Sequence, residues 1–314
     1  MDKLRHLFVK TCADFAVAPA QALVDDLSGS ELLTTLRLNG NSKRLFKNRI
    51  QVLQVFALAE SLQEDSTITS LDLSYNFLND MAAQALAGLL KVNKNILRLD
   101  LTGNDITATG AAHLTDALLQ PGCSLEQLLL GGNPLGDAGI LAIADMLKVN
   151  RALRELHLAN TRCGLTGIVG LSTALSDTEN GGCGVRVLDM EAPMLGGPQE
   201  LATQHLARML AENTTITHLG LQKHGLVDST LATLIDYGLL RNRSLQSLDL
   251  RANRLSPFAA PHLERLLADK PTLSTLRLSH NALGDEVALM LSRSLPYTHW
   301  LTELDLRSNN IGSR

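Results

Sequence analysis

Five aspartates, Asp72, Asp100, Asp189, Asp249 and Asp305, each stand between two apolar residues of a recurring Leu-x-Leu phrase. Charged neighbours lie close by: Arg98, Arg251, Arg277 and Arg307, with Glu155, His157, His218 and Glu303. If the phrase is a strand, residues two apart share its outward face, and the set forms a row of mixed charge. Such a row steers a protein partner and fixes its register. The same charges also keep an unliganded strand ladder soluble, because opposite charges on neighbouring strands offset one another. Both readings stand at the level of sequence. Tyr75, Arg98 and Trp300 are candidate anchors, since aromatic residues and arginine dominate interface energetics.

Catalytic chemistry finds no support. The chain has no Gly-rich Lys-Ser/Thr phosphate loop, no His-Glu-x-x-His and no Gly-x-Ser-x-Gly. Gly164-x-x-Gly167-x-x-Gly170 has the wrong spacing for a phosphate cradle and falls where a helix is expected. His157 and His218 sit two phrases apart, roughly 10 Å at ordinary strand spacing, too far to share a metal. Cys163 has no nearby base to make it a nucleophile. No catalytic residue, metal or cofactor is therefore expected.

The elements that hold these residues follow from the period. The paired apolar positions are Leu36/Leu38, Leu71/Leu73, Leu99/Leu101, Leu128/Leu130, Leu156/Leu158, Leu188/Met190, Leu219/Leu221, Leu248/Leu250, Leu276/Leu278 and Leu304/Leu306. Steps between first positions are 35, 28, 29, 28, 32, 31, 29, 28 and 28 residues. A fixed period of this size means stacked units, none of which buries its apolar face alone. Residues 68–73 alternate apolar and polar, as a half-buried strand does, with Ser70, Asp72 and Ser74 outward. Ala82, Ala85, Leu86 and Leu89 then recur at helical spacing, after Asn79 or Asp80 in capping position. Ala111, Leu114, Ala117 and Leu118 repeat the stripe one unit later. Parallel strands on one side and wider helices on the other predict a curved α/β solenoid with strands on its concave face and helices on its convex face.

Asparagines at 41, 76, 104, 133, 253, 281 and 309 stand where the chain leaves each strand, placed to satisfy backbone groups of adjacent units. Thr161, Pro193 and His224 replace them in three central units. Asp177–Gly184 reads as a Gly-rich protruding loop, and Glu191–Pro198 as an irregular connection. The 35-residue first step contains a basic insertion with Lys43, Arg44, Lys47 and Arg49. Residues 1–30 lack the repeat and are expected to form an N-terminal helical cap. Leu4, Leu7, Phe8, Cys12 and Phe15 mark one helix and residues 20–27 a second. The solenoid then occupies 31–314, with its tenth unit incomplete at Arg314. Such an end leaves apolar surface for a partner or further chain to cover.

Twenty-eight basic and 32 acidic residues give a net charge of −4, too balanced to indicate nucleic acid or a membrane surface. Four scattered cysteines make neither a disulfide framework nor a zinc knuckle, which fits reduced thiols in the cytoplasm. Asn213-Thr-Thr and Asn242-Arg-Ser match glycosylation acceptors, without a secretion signal to support them. No apolar run is long enough to span a bilayer.

The 28–29-residue period, the LxxLxLxxN phrase and the Ala-rich helix resemble the leucine-rich repeats of the ribonuclease-inhibitor class, over residues 31–314. That class includes ribonuclease inhibitor, a Ran GTPase activator, NOD-like receptors and repeat proteins of centrosomes and cilia. The opening segment, LRHLFVKTCADFAVAPAQALVDDL, is similar to the helical leader of leucine-rich repeat-containing proteins 34 and 45. The chain departs from ribonuclease inhibitor, which is cysteine-rich and strongly acidic. What the resemblance implies is a non-enzymatic scaffold with protein partners, in a cilium, flagellum or other cytoskeletal assembly. The competing expectation is an enzyme inhibitor or GTPase activator that holds its target on the concave face.

Overall fold

A computed structural model of the chain describes residues 2–28, 33–176, 183–195 and 199–312. Most of the predicted loop at 177–184, and the end of the connection at 191–198, lie outside the described residues. The chain divides into two compact units, Met1–Arg162 and Cys163–Arg314.

Unit 1 holds strands β1 (Thr35–Arg37), β2 (Ser70–Asp72), β3 (Arg98–Asp100), β4 (Gln127–Leu129) and β5 (Glu155–His157). Its helices are α1 (Asp2–Asp14), α2 (Gln21–Leu27), α3 (Val52–Ser61), α4 (Asp80–Val92), α5 (Ala108–Leu118) and α6 (Gly136–Leu147). The strands pair in parallel and in sequence order, with Leu36, Leu71, Leu99, Leu128 and Leu156 in register. Unit 2 repeats the plan with β6 (Val187–Asp189), β7 (His218–Gly220), β8 (Ser247–Asp249), β9 (Thr275–Arg277) and β10 (Glu303–Asp305). Leu188, Leu219, Leu248, Leu276 and Leu304 share its register. Its helices are α7 (Leu165–Ser176), α8 (Gln199–Glu212), α9 (Asp228–Leu234), α10 (Ala260–Asp269) and α11 (Gly284–Ser294). The alternation of strand and helix around an aliphatic core is that of a leucine-rich-repeat solenoid.

Each inward leucine of β1 to β9 is fully buried, and the helices cover the other side of the same core. Ala82, Leu86 and Leu89 of α4 are buried as expected; Ala83 and Ala87 join them while Ala85 is half-exposed. At β10, Leu304 and Leu306 are also only half-buried. The first predicted cap helix is α1, which buries Leu4, Phe8 and Cys12 and packs on α3. There the Thr11 and Ser61 hydroxyls lie 2.9 Å apart. Burial pushes the Cys12 thiol up to about 11, so it is an inert core residue.

Asparagine side chains stitch the units at the strand ends. The Asn104 amide donates to Leu73 O and Leu101 O, and its carbonyl accepts from the Asn76 and Leu78 amides. Asn133, Asn253, Asn281 and Asn309 likewise reach the preceding strand. Asn41 does not: it is exposed, because the first repeat has no preceding strand end to serve. Ser74, expected outward, is buried and bonds Asp72 and Asn39.

A second asparagine series ties the helix ends. Asn93, Asn150, Asn213 and Asn242 donate to carbonyls one repeat back. Asn213 and Asn242 are therefore buried amides, and neither offers a nitrogen to a glycan. Lys270 takes the next place in this series. It is buried, donates from Nζ to Asn242 O, and burial pushes it down to about 8.

Candidate strand-face binding site

The outward slots of the strands form one face in each unit, and the predicted residues fall on or beside it. The five aspartates share a local role that their spacing alone does not reveal. Asp72, Asp100, Asp189, Asp249 and Asp305 each accept the backbone amide two residues on, at 3.0–3.2 Å. A carboxylate there fixes the turn out of the strand, as an Asx turn does. The aspartates are thus part of the scaffold, and the side chains around them carry the variation.

In unit 1, Arg98 reaches across to Gln127 of β4 (2.9 Å) and back to Asp100 (3.2 Å). Glu155 and His157 face one another at 2.7 Å on β5, both half-buried. Asp72 accepts from the Ser74 hydroxyl. Tyr75 lies off the strand, in the turn, with a left-handed backbone (φ +58°) and its ring over Gly103. It is not a member of the charged row.

In unit 2, Asp249 is buried and accepts two bonds from Arg251 Nε and one from Gln222. The bond with Asp249 raises the Arg251 guanidinium pKa further, so the arginine stays charged. Arg277 bridges to Glu303 of the neighbouring strand at 2.8 Å. Arg307 grips Asp305 with two contacts of 2.9 Å and holds that carboxyl well below its ordinary range. His218 is exposed and contacts Thr217. Trp300 sits beside β10, partly buried, with an indole N–H that meets no acceptor.

Gln222 is a functional candidate that the charge pattern missed. Its Oε1 is buried without a donor, and a buried acceptor left unpaired is costly. It lies beside Gly220, which holds the slot where other strands carry Asp. A Cβ there would meet Asp189 Oδ1 and Gln222 Oε1 at 2.7 Å each. The signal was legible as the third outward slot of the repeat, two residues beyond the Asp position.

The described residues of the face offer paired charges, one unpaired acceptor at Gln222 and one unpaired donor at Trp300. Among the described residues no group of three His, Cys, Asp or Glu side chains could hold a metal ion. No described helix is long and apolar enough to cross a membrane.

Comparison with known proteins agrees with this architecture. The leucine-rich repeat family model matches at 64–87, 92–114, 123–144, 269–292 and 298–314. Mouse NACHT, LRR and PYD domains-containing protein 12 is 30% identical over 311 residues, 97% of this chain and 28% of that protein. Pig ribonuclease inhibitor is 31% identical over 229 residues, 73% of this chain and 49% of that protein. The chain thus spans about a quarter of the first of these relatives and about half of the second. A Bacteroides fragilis protein of known crystal structure shares the fold at 14% identity, with a TM-score of 0.52 over 82% of this chain and 71% of that one. Repeat proteins of this family bind other proteins. With the period, the parallel strand register and the asparagine series, these matches identify the chain as a ribonuclease-inhibitor-like leucine-rich-repeat protein.

Proposed function

We propose that the chain is a non-enzymatic scaffold that takes a protein partner on its strand face. The observation that carries this reading is the row of outward side chains, set in register on parallel strands within each unit. Arg98, Glu155 and His157 supply it in unit 1; Arg251, Arg277 and Arg307 supply it in unit 2. Charges already paired on the face favour selection by complementarity over raw affinity. Two unpaired groups, Gln222 Oε1 and the Trp300 indole N–H, would each gain a bond from a partner. The similarity of the leader to ciliary and centrosomal repeat proteins favours a role in a cytoplasmic microtubule-based assembly. Crosslinking mass spectrometry on the native assembly tests both parts. Axonemal or centrosomal neighbours crosslinked to the strand face are expected. Crosslinks confined to the helices would overturn the strand-face assignment.

A second reading is an enzyme regulator, favoured by the similarity to pig and mouse ribonuclease inhibitors. Inhibition of a ribonuclease panel, or stimulated GTP hydrolysis by a small GTPase, would replace the scaffold reading with this one.

A further inference from the structure

The basic insertion in the first repeat builds a cleft that the strand face does not explain. Between β1 and α3 the chain runs through turns and lines a cavity of about 950 Å³. Residues 18–22 and Asp25 of the leader form one wall; Phe46, Lys47, Arg49 and Phe77 are on the other sides. Every lining residue belongs to unit 1.

Arg49 is the centre of this arrangement. Its guanidinium carbon lies 4.4 Å from the Phe77 ring centroid and 5.3 Å from that of Phe46. Nε donates to Tyr75 O at 2.9 Å and Nη2 to Asn41 Oδ1 at 3.2 Å. These contacts fix the guanidinium and leave its Nη1 edge uncommitted. No carboxylate among the described residues pairs with Arg49, Lys43 or Lys47, whereas Arg44 is fully engaged by Asp26. A fixed guanidinium between aromatic rings, with donors unspent and no counter-ion, is preorganised for a carboxylate.

The two rings of the cleft are open to solvent. Phe46 and Phe77 are 58% and 62% exposed. Phe77 and Tyr75 both adopt φ +58°, a region aromatic side chains rarely occupy. The left-handed backbone at the Tyr75 slot recurs in every later repeat, from Gly103 to Ser308, and so belongs to the repeat turn; the exposed rings at 46 and 77 are what the cleft adds.

We propose that this cleft docks an acidic peptide segment of a partner protein. One carboxylate would take the free edge of Arg49, with Lys47 beside it, and an adjacent apolar side chain would cover the exposed rings. Charge complementarity selects this occupant. Of the charges that line the cleft, Arg44 is taken by Asp26 and Asp25 accepts from Gln21, which leaves Lys47 and Arg49 as cations without a carboxylate. A phosphate is disfavoured because only one fixed donor edge is available. Nucleic acid is disfavoured because two rings and one fixed cation are too short a track for successive bases and phosphates.

The test uses the full chain and an array of ~12-residue peptides in which Glu, Asp and one Leu or Phe vary in spacing. Fluorescence anisotropy is expected to find salt-sensitive binders, weakened roughly tenfold or more by Arg49→Gln and by Lys47→Glu. Arg251→Gln, on the strand face, is expected to leave that binding unchanged. Lys47 is exposed, so its variant keeps the test valid if Arg49→Gln unfolds. Three outcomes would overturn the proposal: no acidic peptide above a lysine-substituted control, binding indifferent to both variants, or binding only to inorganic phosphate, phosphopeptide or single-stranded RNA.

Discussion

Asn104 in unit 1 and His224 in unit 2 occupy the same slot of the repeat and solve it differently. The Asn104 amide satisfies four backbone groups, two by donation and two by acceptance. His224 is equally buried, yet its ring makes a single bond at this turn, between Nε2 and Met190 O at 2.9 Å. A carbonyl only accepts, so the neutral ring must carry its proton on Nε2. Two neighbouring units depart further: Thr161 offers one hydroxyl to Leu158 O, and Pro193 has no side-chain donor. The regular slot is fixed by geometry alone. The substituted slot adds a protonation state, and so makes one turn of unit 2 sensitive to pH.

The largest effect that sharpens this contrast lies at the regular site. Asn104→Ala leaves the buried Asn76 and Leu78 amides without an acceptor, while Leu73 O and Leu101 O keep their bonds from Asn76 and Asn133. At about 2 kcal/mol for each of the two orphaned amides, a loss of ~4 kcal/mol is expected in denaturant unfolding. A loss near 1 kcal/mol would mean that water fills the gap and that the stitching is not specific to the amide.

The next effect belongs to His224. Desolvation pushes its pKa down to about 4 from 6.5, against the backbone bond to Met190 and the charge of Asp189. Between those values the unfolded chain binds more protons than the folded one. Stability from this residue is therefore complete above pH 6.5 and is lost as pH falls towards 4, by ~3 kcal/mol in all. His224→Asn is expected to abolish that part of the acid sensitivity, since a ladder amide does not titrate. Parallel melts at pH 7 and pH 4.5 for the two proteins isolate the difference. Equal acid losses would assign the sensitivity to carboxylates elsewhere.

The same contrast explains what could be read from the sequence. Leu36, Leu71, Leu99 and their successors were legible because each sits in one environment repeated at a fixed step, so period alone fixes burial. Asn76 through Asn309 followed for the same reason. The failures are residues whose type departs from that of their slot, or whose neighbouring repeat is missing. Asn41 has no predecessor, and Ser74 turned inward to serve Asp72 and Asn39. Lys270 hides in the second asparagine series under a residue type that is rarely buried. On the strand face, the Asp row was read as a charge pattern when each carboxylate also holds a turn. The cleft at Arg49 joins the leader, the insertion and a turn of the second repeat, which no period links.

Asn41→Ala gives the smallest expected effect and tests the idea that a ladder asparagine is defined by its predecessor. Its side chain is exposed, and its one bond accepts from Arg49 Nη2. The amide of residue 41 binds Asn39 Oδ1, a contact the substitution keeps. A change under about 0.5 kcal/mol is expected, as for an ordinary surface residue. The equivalent asparagine one repeat later, Asn76, reaches Leu38 O at the end of the preceding strand and is buried. A loss at Asn41 comparable with that at Asn104 would show that the turn itself, not the neighbouring strand, makes the asparagine necessary.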